Sequence, residues 1–430
     1  MTISDIARTR SSARSGGWRM PAGLLGTALR YGVSAAGPVA VSGAHFLASL
    51  IFLRNLPARE FGLFSFVMVV VSFGMSLNAS LITVPLTRHI VTGTHDTRPV
   101  CFQMNWLVCI GFAALMFAAL WVSGAPLQGA ALLALFAGVF SFRWFARCLA
   151  FIDGRMATAV QSDLAYSLLL MGGLGILAFA RQVSFVHGSE MLLLAALMAL
   201  APFGLSFFRT QFAAMAGDPR RYGPIFRDLS RWSLLGVALT EITVNAHAYL
   251  VTFISGAGSF ALLALGMLLL RPASLMQSAL PDLERPAMSR AIAANDMTAL
   301  SRIQRHFTWG LAAAWLVNIL LCAAVLAFFP QLVLKKGYAL HDVIVVAALS
   351  SVIMAVRAWR TPLAVLLQAA GAFKQLAGIG TTSGTLSVFA TLALLLTVGP
   401  IASLGGIFLG ELVILARVIQ MTRDWKAAHG

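Results

Sequence analysis

The stretch FLRNLPAREFGLFSF, residues 52–66, joins two long apolar runs through a short charged turn. It contains Arg54, Arg59 and Glu60, although only 11% of the chain is charged. Each flanking run is long enough to cross about 30 Å of hydrocarbon as a helix. The stretch therefore predicts a membrane hairpin whose turn lies outside the hydrocarbon.

The same pattern continues along all 430 residues, of which 59% are hydrophobic. Apolar runs of roughly 20 residues recur without the alternation of a membrane β-strand. Helices satisfy every backbone polar group within lipid. The sequence thus predicts an all-α polytopic membrane protein with about twelve transmembrane helices. The predicted spans are 31–53, 63–86, 105–123, 128–150, 157–180, 190–208, 232–255, 258–281, 307–329, 342–369, 375–397 and 401–420.

The distribution of basic residues predicts the orientation. Of the 31 Lys and Arg residues, 25 fall on one side, five fall on the other, and Arg271 lies inside a span. Cytoplasmic loops collect Lys and Arg, so we expect both termini in the cytoplasm. This topology accounts for the net charge of +16, so binding of nucleic acid is not needed to explain it. The basic residues 1–30 lack a signal-peptide cleavage site and are interpreted as a retained cytoplasmic tail.

No motif for metal, cofactor or enzyme chemistry is present in the sequence. The four cysteines show no CxxC spacing, so they predict neither a metal site nor a disulfide framework. Nucleotide-binding, zinc-protease and serine-hydrolase signatures are absent. We therefore predict a protein that is not an enzyme and has no cofactor.

A faint internal repeat relates the two halves of the chain. SGAHFLASLIFLR (42–54) aligns with VNAHAYLVTFISG (244–256), and FRWFARCLAFIDGR (142–155) with VRAWRTPLAVLLQAAGAFK (356–374). Their common order predicts two six-helix lobes around a central cavity. The predicted parts are an N-terminal lobe (31–208), a cytoplasmic basic linker (209–231), a C-terminal lobe (232–420) and a cytoplasmic tail (421–430).

Several stretches resemble the polysaccharide-exporter branch of the MOP superfamily, the Wzx-type flippases. They are the turn LPAREFGLFSF (56–66), the charged segment ALPDLERPAMSRAIAANDMTALSR (279–302) and QAAGAFKQLAGIG (368–380). The second half departs from this pattern, because no Gly follows Phe260 and His247 lies near where many relatives carry an acid.

The resemblance implies transport of an undecaprenyl-diphosphate-linked oligosaccharide from the inner to the outer leaflet of a bacterial inner membrane. Its cargo would need a central, hydrated, partly cationic cavity. Polysaccharide polymerase and co-polymerase proteins are candidate partners, besides membrane lipids. An ion-coupled small-molecule exporter of the same superfamily and a membrane-embedded polymerase or ligase are the alternatives. The predicted outer loops are too short for the catalytic loop of such an enzyme.

Arg271 is the clearest candidate for a cargo contact. Ionisable groups at membrane depth face a cavity or the protein interior by default. Arg271 lies about 20 Å below the outer end of its span, and Pro272 should kink the helix there. It either contacts the diphosphate, as the resemblance supports, or pairs with Glu241 on the preceding span.

Three further residues are candidates for coupling or gating, and one for the cavity mouth. His45 and His247 are related by the repeat and lie at mid and upper depth. With Glu241 they are candidates for coupling or gating, since His titrates near neutral pH; the other interpretation is hydrogen bonding between helices. Arg54, at the outer end of the first span, faces either lipid head groups or the cavity mouth.

Arg143 and Arg147 lie four residues apart on one face of a predicted helix. Two interpretations apply: a gate that first meets the diphosphate, or an anchor whose charged ends snorkel to the inner leaflet. The repeat extends both to Arg357 and Arg360. Glu411 is assigned no role.

Overall fold

The computed structural model describes residues 24–83, 85–86, 97–332 and 338–429, and their regular structure is helical. The first-half helices are α1 (Leu24–Asn55), α2 (Ala58–Asn78), α3 (Thr97–Val122), α4 (Leu127–Ile152), α5 (Met156–Phe179), α6 (Phe185–Met198) and α7 (Gly204–Ala214). The second-half helices are α8 (Arg231–Ile254), α9 (Ala257–Leu269), α10 (Arg271–Ala293), α11 (Met297–Phe328), α12 (Leu340–Ala369), α13 (Phe373–Thr397) and α14 (Ser403–His429).

The helices account for the predicted number of spans. In the described part of the chain, ten helical segments are long and apolar enough to cross a membrane, and α6 with α7 forms one of them. Two bent helical pairs bring the total to twelve. One bend of 63° lies within α8, and one of 64° separates α9 from α10. The all-α fold of about twelve spans is confirmed.

Packing within the two halves follows one pattern. In the first half, α1 packs on α5, α3 on α4, and α6 on both α4 and α5. In the second half, α8 packs on α13, α11 on α12, and α14 on both α12 and α13. Helices in corresponding positions of the two halves thus make corresponding contacts. This shared pattern of contacts agrees with the two lobes predicted from the repeat.

The lobes meet mainly where α2 crosses α9. α2 begins directly after Pro57, in the turn 52–66. Gly62 lies so close to the Ala257 carbonyl oxygen that a Cβ at this position would overlap it. Only a residue without a side chain permits this approach. The turn and its second-half counterpart therefore form the contact between the lobes at the end predicted to face outward.

The segment predicted as a linker, 209–231, is docked on the first lobe. Its first residues belong to α7. Gln103 of α3 donates from Nε2 to the Gly217 carbonyl at 2.6 Å, and the Tyr222 hydroxyl donates to the Leu81 carbonyl. Burial raises the pKa of Tyr222 to about 12, so its hydroxyl keeps the proton that it donates.

Candidate functional site

A cavity of about 290 Å³ lies between the lobes. α1 and α2 form its wall on the first lobe, and helices of the second lobe form the rest. Phe61 and Phe260, the fourth residues of α2 and α9, both line it. The cavity therefore lies beside the α2–α9 contact, where relative movement of the lobes would change its shape.

The cavity wall is cationic and apolar. Its basic side chains are Arg271, Arg357, His45 and His247, and no Asp or Glu is among its described lining residues. Its other polar groups are Ser49, Ser65, Ser72, Asn245, Ser274 and Ser350. Phenylalanine, methionine and aliphatic side chains form much of the remaining wall. Such a wall suits an anion that carries an apolar group, and it offers no counter-charge to an organic cation.

Arg271 lies at the break between α9 and α10, as the sequence predicts. Pro272 lacks an N–H, and its ring clashes with a preceding carbonyl in a continuous helix. Side chains of α11 satisfy the Leu269 carbonyl at the break: the Asn318 amide at 3.3 Å and the Cys322 thiol at 3.1 Å. The predicted kink is confirmed, and Arg271 lines the cavity there.

The predicted pair of Arg271 with Glu241 is absent from this structure. Tyr249, two turns further along α8, donates its hydroxyl hydrogen to Glu241 Oε1 at 2.5 Å. Neither Arg271 nor Glu241 forms an ion pair with any described residue. Glu241 does not line the cavity either. Arg271 thus faces the cavity without a described counter-ion.

His45 and His247 both line the cavity, one from each lobe. His45 Nε2 lies 2.7 Å from the hydroxyl of the fully buried Tyr166, and the guanidinium of Arg143 lies 4.7 Å from the centre of the Tyr166 ring. His247 Nε2 lies 3.3 Å from the sulfur of Met267. His45 therefore connects the cavity with the interior of its lobe, whereas His247 contacts a weakly polar neighbour.

Arg54 is exposed at the end of α1 and does not line the cavity. The neighbouring Arg59 has a structural role instead. Its guanidinium donates to the Gly124 carbonyl at 2.6 Å and to the Ser123 carbonyl at 3.3 Å. Arg59 therefore connects the α1–α2 turn to the α3–α4 turn, although its side chain is exposed.

Arg143 and Arg147 belong to a buried cluster that we call the first triad: Arg143, Arg147 and Asp163. Asp163 accepts from Arg143 Nη1 at 3.0 Å and from Arg147 Nε at 2.7 Å. The residues are 1%, 8% and 2% exposed, and neither arginine lines the cavity. The snorkelling interpretation is therefore wrong, because buried guanidiniums do not reach head groups. Nor are the two arginines placed to contact cargo in this structure.

The second lobe contains a related cluster, the second triad: Arg357, Arg360 and Glu411. Glu411, fully buried on α14, lies 2.7 Å from Arg357 Nε and 3.3 Å from Arg360 Nε. The side chains of Arg357 and Arg360 are 21% and 23% exposed, and Arg357 lines the cavity. Glu411, to which the sequence assigns no role, is thus the carboxylate of this cluster.

A sequence signal for these carboxylates does exist. Asp163 and Glu411 each stand within an otherwise apolar span, and an isolated buried carboxylate requires a cationic partner. That rule points to each acid but not to its partners, because the arginines lie 16 to 54 residues away on other helices.

The four cysteines are unpaired thiols. Among the described residues, no group of three or more His, Cys, Asp or Glu side chains could hold a metal ion.

Several solved structures share this arrangement of helices. An inward-facing multidrug resistance MATE family transporter of the MOP superfamily has a TM-score of 0.68 at 13% identity, over 92% of this chain and 98% of that one. The lipid II flippase MurJ, in an inward closed conformation, has a TM-score of 0.67 at 9% identity, over 91% of this chain and 87% of that one. This chain has the MOP fold.

A third MOP structure bears on the polarity of the cavity. A MOP superfamily transporter from Pyrococcus furiosus Vc1, for which a reversed polarity of the binding pocket is described, has a TM-score of 0.53 at 14% identity. It covers 94% of this chain, and the match spans 94% of its own length. No protein-family model and no curated protein sequence matches the chain. At identities of 9% to 14%, these structural matches show the MOP fold alone.

Proposed function

We propose that this protein is a flippase that moves an undecaprenyl-diphosphate-linked oligosaccharide from the cytoplasmic to the outer leaflet by alternating access, for O-antigen, capsule or exopolysaccharide biosynthesis. One observation carries the proposal. Arg271 lines the cavity without an ion pair to any described residue, and the described lining contains no carboxylate. A buried charge of this kind requires an anion, and the cargo head group would supply it.

The cavity size suits the head group rather than the whole cargo. Its volume of about 290 Å³ lies near the lower end of ordinary ligand pockets. A diphosphate fits such a space, while a long polyprenyl tail and a sugar chain do not. The tail would remain in the lipid and the sugars would extend along the gap between the lobes. The apolar wall would then contact the carbons beside the phosphates.

The contact between the lobes supports alternating access. Gly62 and Ala257 bring α2 and α9 together beside the cavity, at the end predicted to face outward. Release to the outer leaflet requires these helices to separate, and the absence of a side chain at Gly62 lets them close again. The MOP fold also occurs in the lipid II flippase MurJ, so the fold accommodates lipid transport.

The alternatives fit the cavity less well. An exporter of organic cations would need a carboxylate in the lining, and the described lining has two arginines instead. A polymerase or ligase would need a catalytic constellation that the sequence does not contain. We propose the bacterial inner membrane as the location, with both termini cytoplasmic, and polysaccharide polymerase and co-polymerase proteins as partners.

The test is genetic and biochemical. A deletion strain should accumulate lipid-linked repeat units on the cytoplasmic leaflet, and the wild-type gene should clear them. Arg271→Ala should fail to do so, whereas Arg271→Lys should restore part of the transport because it keeps the charge. Arg181→Gln, at an exposed turn outside the cavity, is the control and should transport like the wild type. Normal export in the Arg271→Ala strain at wild-type protein levels would refute the proposal.

A further inference from the structure

We infer that Arg360 is a positioning residue of the anion site, although it does not line the cavity. Glu411 neutralises the positive charge of Arg357, and the positive charge of Arg360 compensates for this. The inference rests on the proposed function. It concerns the second triad, and it assigns a role to a side chain that cargo does not touch.

The first step concerns the charge that Arg357 presents. Its Nε donates to Glu411 Oε1 at 2.7 Å, and Glu411 has no solvent exposure. By itself this pair is formally neutral. A neutral pair in the cavity wall would attract an anion weakly, even though a guanidinium faces the cavity.

Arg360 changes that balance. Its Nε lies 3.3 Å from the second oxygen of the same carboxylate, so two arginines share one acid. The triad therefore carries a formal charge of +1, and Arg357 is its member at the cavity wall. Together with Arg271 the cavity site reaches +2, which matches a diphosphate dianion.

The carboxylate also fixes the geometry of Arg357. Because Glu411 binds the Nε edge, the two terminal amino groups can point away from the acid, as the planar guanidinium requires. A long side chain held in this way loses less entropy when it binds a phosphate. Glu411 orients Arg357, and Arg360 restores the positive charge.

The experiment compares charge variants of the full-length purified protein. Inorganic diphosphate is the probe, with affinity measured by isothermal titration calorimetry and folding by thermal melting. Arg360→Gln should weaken diphosphate binding about 10-fold, equal to about 1.4 kcal/mol. Glu411→Gln should bind at least as tightly as the wild type, because the amide oxygen still accepts from Arg357 while the negative charge is gone.

The double variant decides between a charge role and a merely structural one. Arg360→Gln combined with Glu411→Gln leaves Arg357 with its full charge, so binding should return to within about twofold of the wild type. If Arg360 only supported packing, the double variant would bind no better than Arg360→Gln alone, and the inference would be overturned.

A matched control comes from the first lobe. Arg147→Gln removes the corresponding second arginine from the first triad, which does not line the cavity, and should leave diphosphate binding unchanged. An equal loss in this variant at an unchanged melting temperature would overturn the inference, since the effect would not be specific to the second triad. Failure of the wild type to bind diphosphate at all would instead count against the proposed function.

Discussion

The two lobes use the same three charges in different ways. In the first triad, Asp163 on α5 binds two arginines of α4, and all three residues are at most 8% exposed. In the second triad, the acid comes from the last helix, α14, and both arginines of α12 keep more than a fifth of their side-chain surface. The first triad is thus a sealed structural element, and the second opens onto the cavity.

The aromatic surroundings explain the seal. Arg143 lies 4.8 Å from the ring centre of Phe140 and 4.7 Å from that of Tyr166. Arg147 is flanked in the same way by Trp144 and Phe151. Rings on these guanidiniums exclude water and add a cation–π attraction. The arginines of the first triad are therefore held within protein.

The largest expected effect is a loss of stability when the acid of the first triad is removed. Asp163→Ala leaves two arginines buried without their counter-ion, which should destabilise the protein by about 3–5 kcal/mol. We expect little folded protein, measured by fluorescence-detected size exclusion and thermal melting. Asp163→Glu, which keeps the charge, should recover part of the stability. A normal melting temperature for Asp163→Ala would show that the first triad is not a structural element.

The second triad should tolerate the replacement of its acid by alanine better than the first triad does. Glu411→Ala should lower the stability by about 2–3 kcal/mol, because water in the cavity can solvate Arg357 once the acid is gone. Denaturation of both alanine variants under identical conditions measures the difference. Equal losses would remove the distinction between a sealed and an open cluster.

A glycine in the first lobe provides a smaller perturbation. A Cβ at Gly37 of α1 would overlap Asp163 Oδ2, so Gly37→Ala must push the carboxylate from its place. We expect a loss of about 1–2 kcal/mol in the free energy of unfolding, as for other overpacked sites. Gly43→Ala, on the same helix with nothing within 4 Å, is the control and should leave stability nearly unchanged.

The smallest effect should come from a change at Tyr166, which lies between the first triad and His45 in the cavity wall. Tyr166→Phe removes the hydroxyl that bonds His45 at 2.7 Å and leaves the ring on Arg143. The expected loss is about 0.5–1.5 kcal/mol in stability. The rate of transport should fall by more than this loss of stability explains, because the bond orients His45 in the cavity wall. Unchanged transport by Tyr166→Phe would assign the bond to His45 a structural role only.

Part of this arrangement follows directly from the order of residues along the chain. The apolar runs require spanning helices, and their paired order predicts the two lobes. Pro272 predicts the break beside Arg271, because a proline removes a backbone donor wherever the chain folds. These features are local or periodic, so the sequence contains them directly.

The sequence did not predict which charged residues form ion pairs with each other. Arg143 and Arg147 lie on one helical face, which fits a lipid-facing anchor as well as an interior site. Glu411 has no basic residue three or four positions away on its own helix, so nothing in the sequence indicated its contact with Arg357. Helix rotation decides such matters, and it depends on the packing of every neighbouring helix.

The sequence by itself determined the helical membrane fold, the repeat and the helix break beside Arg271, because hydrophobic length and proline chemistry act locally. Only the tertiary structure decided which charges meet. It sealed Asp163 with two arginines in one lobe and turned Arg357 toward the cavity in the other. The physical reason is that an ion pair between helices depends on distance and burial, and neither follows from the separation of residues along the chain.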